Sequence, residues 1–296
     1  MGLAVLIAAV KRHATMAMHP PGPRDHNPIG SGCRRDGGLV SLQAVLPNES
    51  PGLTPRRFAD LARLAEELGY EAVWLPDHVL PPEPFGEVFG GVYEPLATLA
   101  YLAAATERVQ LGVSVIIVPL REPHLLAKQA ATIDRLSGHR LILGVGAGWN
   151  EPEFAEIGAD FSRRGATLDE TLSLLDQLFT TGRGRAGGYF EPRPEGRIPI
   201  LVGGNSTVAL RRAVRAGDQW LSAGLSPDAF AERVAKLDQL DPERRVRRIA
   251  RQQFAEKTAV ETYRAYQAAG ADAVAVHFGE VEGYEERMAA FAAATS

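Results

Sequence analysis

From residue 39 onward the chain repeats one unit eight times: a short apolar, β-prone run, a loop, and a stretch with helical spacing. Short apolar strands that alternate with helices form a parallel sheet, because the crossover helices bury the strands on both faces. The strand runs fall at 39–46, 71–75, 109–118, 140–145, 200–202, 219–222, 246–252 and 273–278. The helical runs fall at 54–68, 96–106, 122–136, 165–180, 206–216, 227–240, 259–269 and 284–293, with a short extra helix at 151–157. In the first of them Phe58, Leu61, Ala62, Leu64, Ala65 and Leu68 recur at helical spacing, and Gly69 supplies the stop. The loop 182–199 has room for a small hairpin around Tyr189 and Phe190. Eight such units in roughly 250 residues predict a closed (β/α)8 TIM barrel, with an open doubly wound sheet as the alternative.

No linker composition interrupts residues 39–296, so one barrel domain is expected there. Residues 1–38 differ. Pro, Gly, His and Arg crowd 11–38, which offers too little apolar surface to offset the entropy of ordering, and the segment reads as a disordered N-terminal extension. The apolar run 3–10 is too short to span a bilayer, and it precedes Lys11 and Arg12, the reverse of a secretory signal. Lys plus Arg is 32 against 36 for Asp plus Glu, a formal net charge of -4. That lacks the basic excess favoured by nucleic-acid and membrane-surface partners. The single Cys33 excludes an intrachain disulfide. The expectation is a cytoplasmic protein acting on a small molecule, with neither nucleic acid nor membrane as partner.

In a barrel of this kind the site is built from the loops that follow the strands. Asp77 and His78 follow the second strand, Gly144 to Asn150 the fourth, Gly203, Gly204, Asn205 and Ser206 the fifth, and His277 belongs to the eighth. A histidine there can give or take a proton near neutral pH, and an adjacent carboxylate can hold a cofactor ring or orient the imidazole. A surface Asp-His pair is the plainer alternative. Gly203 and Gly204 end a strand and open a helix, whose free N–H groups attract a phosphate, while Asn205 or Ser206 serves as N-cap. The run from Gly144 fails the dinucleotide pattern, because Trp149 stands where a glycine is required. Gly146 and Gly148 would instead let a planar ligand lie close, with Trp149 lining its pocket or joining the core. The seven histidines form no H-E-x-x-H and no Cys/His cluster, so no metal site is expected. No G-x-S-x-G elbow surrounds Ser114. The basic run 244–251 reads as a solvated face. For a paired-carboxylate hydrolase only Asp77 and Glu151 offer themselves, and Glu151 opens a helix, where acids sit for dipole reasons.

Four segments together resemble the luciferase-like monooxygenase family: LARLAEELGYEAVWLPDH at 61–78, LGVSVIIVPLREP at 111–123, LILGVGAGWNEPE at 141–153 and IPILVGG at 198–204. Their order matches along nearly the whole chain from residue 39, and GAGWNEPE is similar to the branch that uses the deazaflavin coenzyme F-420. The resemblance implies a luciferase-like barrel, a homodimer, and a flavin-type cofactor in the mouth: F-420, with FMN and a monooxygenase reaction as the alternative, and a non-catalytic flavin-binding barrel as a further one. It implies an oxidoreductase that moves hydride between the deazaflavin and an organic substrate, with His78 as proton donor and Asp77 as cofactor contact. It also implies a non-prolyl cis peptide within 114–117, placing Ser114 and Ile117 behind the ring. Gly146, Gly148, Trp149 and Asn150 would line the cofactor, and Gly203, Gly204 and Asn205 would hold its phosphate. In the sugar-phosphate dehydrogenase branch a catalytic glutamate occupies the place of Trp149, which sets this chain apart from that mechanism.

Overall fold

The computed structural model describes residues 40–50, 52–89 and 93–295, so the N-terminal extension expected at 1–38 lies outside the described residues. The strands are β1 (Ser41–Val45), β2 (Ala72–Leu75), β3 (Gln110–Val113), β4 (Ile116–Ile117), β5 (Leu141–Gly146), β6 (Ile200–Gly203), β7 (Gln219–Leu221), β8 (Arg247–Gln253) and β9 (Ala273–His277). The helices are α1 (Pro55–Glu67), α2 (Gly86–Phe89), α3 (Pro95–Ala105), α4 (Pro123–Leu136), α5 (Glu151–Ile157), α6 (Arg164–Thr181), α7 (Thr207–Ala216), α8 (Pro227–Leu240), α9 (Ala259–Ala268) and α10 (Tyr284–Thr295). Every strand pairing is parallel, and β3 closes the ring on β5. Because β3 and β4 occupy one stave, this is a closed (β/α)8 barrel.

Two apolar layers follow from strand alternation. Val45, Ala72, Trp74, Ile142, Leu201, Leu221, Ile249, Ala273 and Ala275 fill the barrel. The intervening residues, among them Val73, Leu143, Val202, Trp220 and Val274, pack outward against the helices. Local signals set the helix starts: Thr54, Ser206 and Ser226 each accept an N–H of the first turn, and a proline opens α1 and α8.

Three features depart from the sequence reading. The continuous strand that periodicity predicts at 109–118 is broken, and the break carries the non-prolyl cis peptide that the family resemblance implied within 114–117: it joins Ser114 to Val115, and Val115 packs against the barrel filling. The short α2 arises in a loop with no helical periodicity. The basic run is a solvated face only at Arg244 and Arg245, ahead of β8. Strand alternation in β8 sends Arg247 and Arg251 into the barrel, and it sends the buried Arg248 outward, where it donates to Asp238 at 2.6 Å. The hairpin does form, with Arg183 bridging Tyr189 in antiparallel sense. Among the described residues no helix is long and apolar enough to cross a membrane.

Candidate active site

The C-terminal rim of the barrel carries most of the expected site residues. His78 leaves the end of β2 with its side chain only 8% exposed, and its Nδ1 lies 2.9 Å from Glu153 Oε2. Phe89 of α2 stacks on the imidazole at 4.6 Å and 22°. Trp149 meets it edge-on at 6.0 Å. Trp149 is 53% exposed and packs edge-on against Phe85 at 4.7 Å, so it is a wall residue of the mouth and not core. The other oxygen of Glu153 accepts the N–H groups of Val79 and Leu80 at 2.6 and 3.0 Å. Among the described residues nothing pairs with His78 Nε2.

Asp77 and His78 diverge as adjacent residues on extended backbone must, and the consequence corrects one expectation. Asp77 touches neither His78 nor an open face. Its Oδ2 accepts the Ile117 N–H at 2.8 Å and its Oδ1 accepts from Arg121, so the carboxylate holds the segment after the strand break. Burial pushes the Asp77 carboxyl up, against the pull of the Arg121 guanidinium and the Ile117 N–H. Ser114 is tied from across the barrel: Arg251 donates to its carbonyl at 3.0 Å and to its Oγ at 3.3 Å. Burial lowers the Arg251 pKa, and the nearby Glu49 charge opposes that. Arg251 comes from β8 and Ser114 from the stave opposite, so the guanidinium forms part of the floor of the mouth.

The glycines serve this floor more directly than they serve a ligand. A Cβ on Gly146 would come within 2.4 Å of Val115 Cγ2, and one on Gly203 within 2.8 Å of Val115 Cγ1. Both lack side chains so that Val115 can lie between them as a platform. Gly148 makes room for Ile117 and Phe154 in the same way. Gly204, expected to offer its N–H to a phosphate, spends it on the Leu221 carbonyl at 3.1 Å. Asn205 uses both ends of its amide on Ala223, at 2.8 and 2.9 Å, and the N-cap of α7 is Ser206. What remains for an anion is the start of α7 itself, whose first N–H groups have no partner within the helix. Asn150 is 5% exposed, and its Nδ2 has no hydrogen-bond partner among the described residues. Across the same rim, at the end of β9, His277 Nδ1 accepts the Gly279 N–H, so its Nε2 donates to Glu49 Oε1 at 2.7 Å. Glu49 Oε2 is buried and unpartnered among the described residues.

A sequence profile of the luciferase-like monooxygenases matches residues 37–266. The chain belongs to that family. It is 34% identical over 214 residues to an uncharacterised protein of Mycobacterium tuberculosis, covering 63% of this chain and 72% of that one. It is 35% identical over 190 residues to an F420-dependent glucose-6-phosphate dehydrogenase of Kineococcus radiotolerans, covering 60% of this chain and 56% of that enzyme, so the match spans little more than half of the dehydrogenase. In fold it is similar to the coenzyme F420-dependent tetrahydromethanopterin reductase of Methanopyrus kandleri, with a TM-score of 0.68 at 16% identity, covering 86% of this chain and 98% of that one.

As a luciferase-like barrel the molecule brings His78, Trp149, Asn150, Ser114, Gly146, Gly148 and Gly203 to one rim, while the Asp77 carboxylate, the Gly204 N–H and the Asn205 amide have partners within the protein. Sequence reasoning missed Glu153, Val115, Arg251 and Glu49. Only Glu151 of the acids in α5 was weighed, and nothing local shows that the Glu153 side chain crosses to the β2 loop. Arg251 had a usable signal: it stands two residues beyond Ile249, which faces the barrel interior. A cavity of about 960 Å³ opens elsewhere, outside the barrel along α6 and residues 196–200. Two of its acids pair with arginines, Asp169 with Arg212 and Arg215 and Glu170 with Arg163, and its lining has no histidine, so the rim is the candidate site. Among the described residues no group of three His, Cys, Asp or Glu side chains could hold a metal ion.

Proposed function

We propose that this protein is an oxidoreductase that holds the deazaflavin coenzyme F-420 in the barrel mouth and uses it to oxidise or reduce a small organic substrate. The observation that carries the reading is His78. It is nearly buried, clamped on one nitrogen by Glu153, without a partner on the other among the described residues, and set between the rings of Phe89 and Trp149. The kinship with F420-dependent relatives supports the choice of cofactor.

The residues present fit such a group. The Val115 platform, flanked by Gly146 and Gly203, offers a flat apolar seat for a planar ring. Asn150 Nδ2, without a partner among the described residues, offers a buried donor at the same rim, and the start of α7 suits a phosphate. When bound, F-420 would supply hydride exchange with the substrate. His78 would move the matching proton, and the Asp77–Arg121 pair would keep the floor rigid. Trp149 and Phe85 suit an apolar or aromatic substrate body better than a sugar phosphate.

The test is a fluorescence titration of the purified protein with F-420 and, separately, with FMN, followed by anaerobic turnover across alcohols, ketones and activated alkenes. Saturable quenching by F-420 and oxygen-independent turnover are expected. Binding of reduced FMN with oxygen consumption would establish a monooxygenase instead, and no binding of either would end the proposal.

A further inference from the structure

We infer that Glu153 is the positioning carboxylate of His78, keeping the imidazole with a proton on Nδ1 and leaving Nε2 as the nitrogen that exchanges a proton with substrate. The inference rests on the proposed role of His78 and concerns what prepares that residue for it.

Glu153 is completely buried and lies in the first turn of α5, so its position is set by a helix and not by a mobile side chain. Its two oxygens do different work. Oε1 accepts the N–H groups of Val79 and Leu80, which anchors the turn after β2. Oε2 meets His78 Nδ1 at 2.9 Å. Anchoring the turn needs one oxygen; the second is spent on the imidazole. A carboxylate is acceptor-only, so Nδ1 must be the donor in this pair, and a neutral imidazole then carries its free lone pair on Nε2. Phe89 fixes the ring plane by stacking and Trp149 limits its tilt. The neighbouring Asp77 cannot take this part, because both of its oxygens face Ile117 and Arg121. Where the loop after β5 presents Trp149, the carboxylate that reaches His78 arrives from four residues further along, on a helix.

For a carbonyl–alcohol couple the bookkeeping closes. In reduction, bound reduced F-420 would supply the hydride to the carbonyl carbon and be oxidised by it, and the oxygen would take the Nε2 proton of a His78 that starts as imidazolium. The imidazole ends neutral, with Nδ1–H still on Glu153. Oxidation runs the reverse, Nε2 accepting the alcohol proton. A charge that stays on Glu153 throughout steadies the imidazolium without being consumed.

The variant Glu153→Gln tests this. Its carbonyl can still accept from Val79 and Leu80, while its NH2 replaces Oε2 as a donor facing Nδ1 and so drives the ring proton to Nε2. Long-range 1H–15N correlation spectra of the cofactor-free protein, at a pH where the imidazole is neutral, should show Nδ1–H for His78 in wild type and Nε2–H in the variant. With F-420 and a turned-over substrate, kcat should fall about 100-fold, with F-420 affinity little changed. An Nε2–H tautomer in wild type would overturn the inference even if the variant proved unstable. Undiminished kcat in Glu153→Gln alone would overturn only the role of Glu153; undiminished kcat in His78→Ala would overturn the proposed role of His78 and this inference with it.

Discussion

The two rims of the barrel use the same device to opposite ends. At the N-terminal rim Glu66, near the end of α1, accepts the N–H groups of Glu107, Arg108 and Val109 ahead of β3. At the C-terminal rim Glu153, at the start of α5, accepts two N–H groups after β2 and then an imidazole. Each carboxylate, Glu66 half-buried and Glu153 fully buried, pins a loop to a helix. At the lower rim all three donors are backbone, and the neighbouring groups are closed as well: Arg247 pairs with Glu71, Glu71 accepts from Gln43, and Gln43 accepts from Trp74. At the upper rim the third donor is a titratable ring, and buried polar atoms on Asn150 and Glu49 lack partners among the described residues. Open polar atoms do not by themselves separate the rims, since Gln110 Oε1 and both amide ends of Gln219, at the starts of β3 and β7, also lack partners among the described residues. What separates them is that the upper carboxylate holds a group able to exchange a proton near neutral pH.

Perturbing each rim should break or sharpen this contrast. The largest effect belongs to His78→Ala, which should lower kcat about 10²- to 10⁴-fold, with F-420 affinity by fluorescence titration nearly preserved. Next comes Gly146→Ala. The added Cβ would sit 2.4 Å from Val115 Cγ2, so overpacking should cost about 1–3 kcal/mol in denaturant melts and weaken F-420 binding by tilting the platform. Val115→Ala in the same chain should recover part of the stability. Glu66→Gln should cost about 1.5 kcal/mol and leave kcat unchanged, the mirror of Glu153→Gln. Desolvation raises the Glu66 carboxyl, but three N–H donors more than offset it and hold it below its ordinary value. Its contribution is therefore present above the usual carboxylate range and is lost as pH falls through the folded-state value. The gap in melting temperature between wild type and Glu66→Gln should be widest near neutral pH and close below about pH 4. The smallest effect is expected for Arg247→Met. Its pair with Glu71 is partly exposed, so the loss should stay under about 1 kcal/mol, with turnover untouched.

Much of this was legible from the chain. Strand–helix alternation located each stave of the barrel, including the arginine-rich β8, because burial on both faces writes itself into short apolar runs. The unusual residues after strands two, four and five do stand at one rim. Roles were less legible than positions. Gly146 and Gly203 were read as space for a ligand, yet the atoms that fill that space belong to Val115 on another strand. Asp77 was read with His78 because the two are adjacent, yet its partners, Ile117 and Arg121, lie 40 and 44 residues away.

The sequence alone determined the architecture and the rim at which chemistry could occur, because periodicity and strand order are local properties summed along the chain. Which side chains meet was decided by barrel closure. Closure brings Arg251 across to Ser114, sets Val115 between two glycines, and lays Glu153 on His78 from 75 residues away. No local rule contains those encounters, since each depends on the angle at which a strand end or helix start faces the common axis.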